Sequence, residues 1–402
     1  MEWWRKQHLI VQIGIGALLG ILLGFILKEN VTYIAPIGDI FIRLLQWLIV
    51  PLTFIVLIDG ITNLPSINSL RSIGGLTLIY YMATTVIAAS IGIAVALIMK
   101  PGKTATGFLN NGEDIQPESF SFIENLISWT PNNLFLSFTE MNMLQIIISA
   151  LIIGIGLLSL GDKVATIRGL FHEGAILMLK ITDTIMKLAP LGVMALIANL
   201  IGTTDISIIY SALYYVLSAL IGLAILLLIV YPMFIRLFTP FKPREFFKAT
   251  SPALLLAAAT SSSNATLPAS MNVSKDLGIS DKIYGFTLPL GATINMDGLA
   301  VTFGVTAIFA ANLYDIPITF GLILQFVFLG LALSMGTAGA RGADIVMMAI
   351  LMTTLNLPLE IVAIYAAVSP LIDAGNTTNN IAGDLTGTAL VHARFGERIE
   401  EM

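Results

Sequence analysis

Residues 373 to 384 read Asp-Ala-Gly-Asn-Thr-Thr-Asn-Asn-Ile-Ala-Gly-Asp, inside a stretch that is otherwise apolar enough for lipid. Asp373, Thr377, Asn380 and Asp384 are spaced by four, three and four residues, so on a helix they form one polar stripe, with Asn376 beside it. A carboxylate at mid-membrane depth costs roughly 2.5–3.5 kcal/mol. Two of them, ringed by amides and hydroxyls, imply something to bind. The stripe points to solute passage rather than to a passive membrane anchor.

The elements that must hold this stripe are helices in lipid. The 402 residues are 56% hydrophobic and 11% charged, with a mean hydropathy of +0.90. An ordinary soluble domain carries about 25% charged residues. Apolar runs near 9–27, 44–62, 75–99, 143–160, 188–202 and 208–235 approach or reach the length of roughly 20 residues that crosses a bilayer. The chain is therefore polytopic, with room for about eight spans. Its first run lacks a small-residue cleavage site and reads as a retained span. Cysteine is absent, which removes thiolate catalysis and cysteine-ligated metals. Arg5, Lys6, Arg71, Lys163 and Arg168 fall at alternate ends, and Arg236, Lys242, Arg244 and Lys248 cluster after the sixth run. The positive-inside rule then puts both termini in the cytoplasm of a multi-pass protein of the plasma or inner membrane, provided one re-entrant hairpin precedes a later span.

Up to about residue 240 the runs are Leu/Ile/Val-rich and largely unbroken. Beyond it, polar breaks recur at 260–268, at Asn295-Met296-Asp297-Gly298, at 334–344 and at the stripe. The first and third are Ser/Gly-rich tips between half-length apolar arms, as in a hairpin dipping into the membrane. The second and fourth place an aspartate within a full-length span. A hairpin followed by a broken span, occurring twice, is the pattern of an inverted repeat, and such breaks coordinate ions and solutes in transporters. Small residues also let helices pack closely, but that does not explain why both tips are paired with carboxylates.

The Ser-rich tip ending Thr266-Leu267-Pro268, the run from Leu290 to Gly298, Gly336-Thr337-Ala338-Gly339, and Gly383 to Thr388 together resemble the sodium-coupled dicarboxylate and amino acid symporters. That family includes glutamate transporters and neutral amino acid exchangers. The resemblance implies an all-α fold of eight transmembrane helices plus two re-entrant helical hairpins, assembled as a homotrimer with a transport domain moving like an elevator. Residues 1–74 would be scaffold, 75–142 the third span and an extracellular loop, and 143–240 the remaining scaffold with the sixth span joining the transport domain. Residues 241–395 would be the transport core and 396–402 a cytoplasmic tail.

By the same resemblance, about three sodium ions are expected. One would take the Asp384 carboxylate, the Asn380 amide and the carbonyls of Gly291 and Asn295. A second would take Asp297 with Asn295, Tyr81, Thr84 and Thr85. A third would use Thr293 and the carbonyls of Ser334, Met335 and Thr337. The proton is the alternative coupling ion, although relatives that use it should lack part of this oxygen set.

The resemblance makes Asp373 the acceptor of a substrate ammonium, helped by Thr377 and the carbonyls of Ser261 and Ala340. Asn380 and Ser263 would receive the α-carboxylate. Where transporters of aspartate and glutamate carry an arginine, this chain has Asn376; where they carry a threonine, it has Leu299. Ser369 replaces an aspartate that supports the arginine in one branch, and Ser261 and Ala374 occupy the positions where other members place one. A buried side-chain carboxylate would lack a cation there, so a neutral amino acid such as serine, threonine or alanine is the expected substrate. Arg341, at the gate formed by Gly339, Arg341, Gly342 and Asp344, stands where a proline is usual. It either pairs with Asp344 or faces water, or it reaches the pocket and restores acidic selectivity. Two other classes compete. An intramembrane enzyme lacks a nucleophile–base constellation at depth, since His8, His172 and His392 lie near span ends. An anion-conducting channel would favour repeated pore-lining rings over one asymmetric site. Nucleic acid is not an expected partner; membrane lipids are.

Overall fold

A computed structural model describes residues 9–62, 73–103, 127, 130–203, 207–335, 343–355, 357 and 359–400. Among these the chain is helical, with no strand. In order the α-helices are α1 (Leu9–Leu27), α2 (Ala35–Thr62), α3 (Ile73–Met99), α4 (Leu134–Thr139), α5 (Met143–Leu160), α6 (Ala165–Met186), α7 (Ala189–Thr203) and α8 (Ser207–Ile225). A π-helical turn, Leu226–Val230, leads into α9 (Tyr231–Phe238). There follow α10 (Pro243–Thr260), α11 (Ser263–Asp276), α12 (Asp281–Ile294), α13 (Asp297–Leu313), α14 (Phe320–Met335), α15 (Ala343–Thr354) and α16 (Glu360–Glu400). Among the described residues, five helical stretches are long and apolar enough to cross a membrane: Ala35–Thr62, Gly74–Met99, Gln145–Met186, Tyr210–Phe238 and Asp281–Leu313. Shorter apolar helices accompany them, among them Val11–Leu27 and Ala189–Gly202. The protein is a multi-pass membrane protein.

The first helices pack through small residues. Gly16, Gly20 and Gly24 recur every four residues on α1, and a Cβ at any of them would collide with the backbone or side chains of α7 at Pro190, Met194, Ala198 and Ile201. Without a hydrophobic drive between helices in lipid, such close backbone approach is what holds a pair together. α2 packs on α5, α6 and α7. Arg168 of α6 donates to the Thr62 carbonyl at 2.6 Å, and His172 lies 3.1 Å from Asp59, pinning the end of α2.

The later helices build the polar interior. α13 is the centre: every side chain from Asp297 to Leu313 is buried except Asn312. It packs against α3, α8, α14 and α16. Gly92 and Gly304 allow the α3–α13 crossing, since a Cβ on either would strike the backbone of the other helix. α10 and α11 form a helical hairpin whose tip turns at Ser261, in the left-handed region (φ 47°), while Ser262 caps α11 by accepting from the Ala265 amide at 3.3 Å. Both arms pack on α16. The tip joining α14 to α15 lies outside the described residues.

The second and fourth breaks differ. Between α12 and α13 the helix opens: Asn295 (φ −101°, ψ 88°) and Met296 (φ −113°, ψ 55°) leave helical geometry. The stripe, expected to break its span in the same way, instead rides an unbroken α16. Its polar side chains are absorbed without opening the backbone. Thr378, Asn379 and Thr388 donate to the carbonyls of Ala374, Gly375 and Asp384 four residues back.

Candidate functional site

Asp297 opens α13 immediately after the break and is fully buried. Thr85 of α3 donates to its Oδ1 at 2.8 Å, and Tyr231 of α9 donates to its Oδ2 at 3.0 Å. Asp384, buried on α16, accepts at Oδ1 from Asn295 Nδ2 at 3.0 Å. Thr84 stands 3.5 Å from Asn295 Oδ1. Gly291 and Gly383 make room: a Cβ on Gly291 would fall on the Asp384 carboxylate, and one on Gly383 would lie 2.7 Å from Asn295 Nδ2 and 2.9 Å from Asp297 Oδ2. Thr84, Thr85, Gly291, Asn295, Asp297 and Asp384 are thus brought together at one junction of α3, α12, α13 and α16.

Tyr81, expected with Asp297, joins this group on the side of Gly291 and Asp384. Its hydroxyl donates to the Thr287 carbonyl at 2.9 Å, and it would stand 2.7 Å from a Cβ on Gly291, beside Asp384. Among the described residues the ion pairs are His172–Asp59 and Lys242–Glu245, so neither Asp297 nor Asp384 has a basic partner. Two buried carboxylates served by hydroxyls and an amide form an oxygen-rich, anionic interior. That donor set suits a hard monovalent cation taken up with main-chain carbonyls from the opened α12–α13 junction.

The stripe contributes the adjoining wall. Asn376, 3% exposed, accepts at Oδ1 from Thr302 of α13 at 2.7 Å, while its buried Nδ2 has no partner among the described residues. Asn380 Oδ1 accepts from the Gly298 amide at 2.8 Å, so it caps the start of α13; its Nδ2 rests 3.1 Å from the Met296 thioether, a weak acceptor. Thr377 is buried beside them and Asp373 is half-buried one turn earlier. Leu299 is buried on the facing α13, and Ser369 is spent on the Ala366 carbonyl at 3.1 Å. Ser263, first residue of α11, is buried, and Ser261 sits at the hairpin turn.

The remaining expected residues are more scattered. Thr293 is exposed and donates to the Pro289 carbonyl at 3.0 Å, outside the Asp297–Asp384 network. Ser334 is buried and donates to the Leu331 carbonyl at 3.0 Å; Met335 ends α14. Thr337, Gly339, Ala340, Arg341 and Gly342 lie outside the described residues. Asp344, expected opposite Arg341, accepts from Tyr365 of α16 at 2.6 Å. Sequence reasoning missed Tyr231, Thr302 and Met296. Thr302 carried a signal, being four residues beyond Gly298 on the same helical face. Tyr231 interrupts a Leu/Ile/Val run, but nothing in its spacing points at Asp297.

A buried polar junction of interrupted and polar helices inside a multi-pass membrane protein suits a membrane transporter. The match to known proteins agrees: residues 9–394 fit the sodium:dicarboxylate symporter family, and the chain belongs to it. It is 29% identical to a proton/sodium-glutamate symport protein of Geobacillus stearothermophilus, over 99% of this chain and 97% of that protein. It is 30% identical to the neutral amino acid transporter B(0) of Homo sapiens, over 88% of this chain and 72% of that one. A C4-dicarboxylate transport protein of Bacillus subtilis is 25% identical over 96% of this chain and 93% of its own length. The family is one of secondary transporters, not of enzymes.

Proposed function

We propose that the protein carries a neutral L-amino acid, small and polar or small and apolar, across the cell membrane in symport with sodium. The observation that carries the neutral reading is Asn376. It is buried, its carbonyl end is held by Thr302, and its amide N–H has no partner among the described residues. An N–H of this kind pairs with a hydroxyl or amide oxygen of a substrate side chain. It does not neutralise a buried carboxylate, whose unpaired charge costs several kcal/mol. Leu299 on the facing helix adds an apolar wall that accepts a methyl group.

Asp373 receives the substrate ammonium in this reading, with Asn380 and Ser263 toward the α-carboxylate. The buried oxygens around Asp297 and Asp384 hold sodium, and a third ion is taken near Thr293 and Ser334. Each sodium moving inward down 100 mV supplies about 2.3 kcal/mol before its concentration gradient is counted. Eight spans with two re-entrant hairpins, an elevator movement of the later helices against the earlier ones, a homotrimer in the plasma or inner membrane and cytoplasmic termini complete the proposal. The first hairpin, α10–α11, and the opened α12–α13 span support the repeat. The test is binding of a panel of amino acids to purified protein with and without sodium. Sodium-dependent binding of serine, threonine or alanine is expected. Strong aspartate binding with none for these three would overturn the neutral reading.

A further inference from the structure

Tyr231 belongs to none of the residue sets read from the sequence, yet it touches both the buried carboxylate and the substrate helix. It is the first residue of α9, directly after the π-helical turn Leu226–Val230. Such turns insert one residue, so they rotate the downstream side chains by about 100° relative to an uninterrupted α-helix. Here the rotated residue is fully buried and its hydroxyl lies 3.0 Å from Asp297 Oδ2 and 3.0 Å from the Asn379 carbonyl of α16. A hydroxyl carries one proton, so the two acceptors share one donor. Gly383 keeps this junction open, because a Cβ there would come within 2.9 Å of both the Tyr231 hydroxyl and Asp297 Oδ2.

The two oxygens of Asp297 are thereby oriented from two different helices, Oδ1 by Thr85 of α3 and Oδ2 by Tyr231 of α9. A carboxylate held at both ends presents a fixed plane and fixed lone pairs to a cation. Asn379 is the neighbour of Asn380 on α16, so the same hydroxyl ties the carboxylate to the backbone that carries the substrate residues. We propose that Tyr231 is a positioning residue for a sodium ion at Asp297, tuning both the affinity of that site and its selectivity among alkali cations. The proposal rests on the reading that Asp297 binds sodium.

The test uses the full chain, purified, with sodium chloride, lithium chloride or choline chloride as the probe. Binding to the folded state stabilises it by RT ln(1 + c/Kd) at free ion concentration c. Fitting the rise in melting temperature against ion concentration therefore gives each ion's dissociation constant, the midpoint of its binding curve. Tyr231→Phe keeps the ring and removes the hydroxyl. The expected result is a sodium midpoint raised by about tenfold, the effect of one lost bond to a charged group. The sodium-to-lithium preference should narrow, because a loosened carboxylate fits a smaller ion as readily. A hydrogen bond of purely structural value would lower the melting temperature equally in all three salts and leave midpoints and preference unchanged, which would overturn the proposal. If Tyr231→Phe does not fold, 3-fluorotyrosine at position 231 preserves the packing with a stronger donor and should lower the sodium midpoint; an unmoved midpoint overturns it equally. Asp297→Asn separates the two layers. If it leaves the sodium titration as in the parent protein, the assignment of sodium to Asp297 falls. If it raises the midpoint while Tyr231→Phe does not, the role of Tyr231 alone falls.

Discussion

Gly291→Ala adds one methyl group in the last turn of α12, and that methyl has nowhere to go. It falls against Asp384 Oδ1, far inside contact distance, and 2.7 Å from the Tyr81 hydroxyl. To restore ordinary van der Waals separation, the carboxylate must retreat by about 1 Å. The retreat also pulls on the 3.0 Å bond that Asn295 donates to the same oxygen. If Asp384 ligates sodium, the ion loses its anionic ligand, worth about 1.5–3 kcal/mol as a charged contact. The half-saturating sodium concentration then rises by roughly 10- to 150-fold. Overpacking itself lowers fold stability by about 1–3 kcal/mol, so the melting temperature in choline should fall as well. Sodium titration of thermal stability and sodium-dependent uptake into proteoliposomes read the two effects apart. Gly285→Ala is the matched control: it lies on the same helix and has nothing within 4 Å of its would-be Cβ. It should leave the sodium midpoint unchanged and stabilise the helix by about 0.5–1 kcal/mol. A Gly291→Ala protein that titrates like its parent would refute the assignment of Asp384. Equal losses in the two variants would assign the effect to the helix rather than to the ion.

The substrate wall yields three further expected outcomes. Thr302→Val removes the 2.7 Å donor to Asn376 Oδ1 and leaves a buried acceptor unpaired, a cost of about 1–3 kcal/mol. Calorimetric binding should weaken by about tenfold for serine and threonine and less for alanine, which has no hydroxyl for Asn376 to meet. Asp373→Asn should abolish amino acid binding while sodium still raises the melting temperature; preserved substrate affinity would show that the ammonium lies elsewhere. Asn376→Arg should shift the preference in a competition assay toward aspartate, with Leu299 limiting the gain, and a variant that still prefers serine would place the side-chain pocket away from position 376.

The stripe and the break before Asp297 were legible because each is a pattern along one stretch of chain. The spacing of Asp373, Thr377, Asn380 and Asp384 predicts one face of one helix, and α16 carries all four. Asn295-Met296-Asp297-Gly298 interrupts an apolar run, and the chain opens at Asn295 and Met296. The same reasoning fails for the stripe as a second break. Polarity in lipid demands partners, but it does not say whether the backbone or the side chains must supply them. At Asn295 the backbone opens; on α16, bonds back to the carbonyls of Ala374, Gly375 and Asp384 keep the helix whole.

What stayed hidden are two partners supplied by another helix, Thr302 and Tyr231. Thr302 looks like one hydroxyl among the apolar residues of α13, and only the packing of α13 on α16 turns it toward Asn376, 74 residues away. Tyr231 is 66 residues from Asp297, and its aim depends on a π-helical turn that no periodicity announces. These cross-helix donors act on Asn376 and Asp297, the residues proposed to meet a substrate side chain and a cation. Both donors stand in largely apolar sequence neighbourhoods. The stripe on α16 is legible from type and spacing, and the roles proposed for the other site residues rest on the family resemblance. Tyr231 needs the fold, because a single hydroxyl aimed across a helix interface leaves no pattern along the chain.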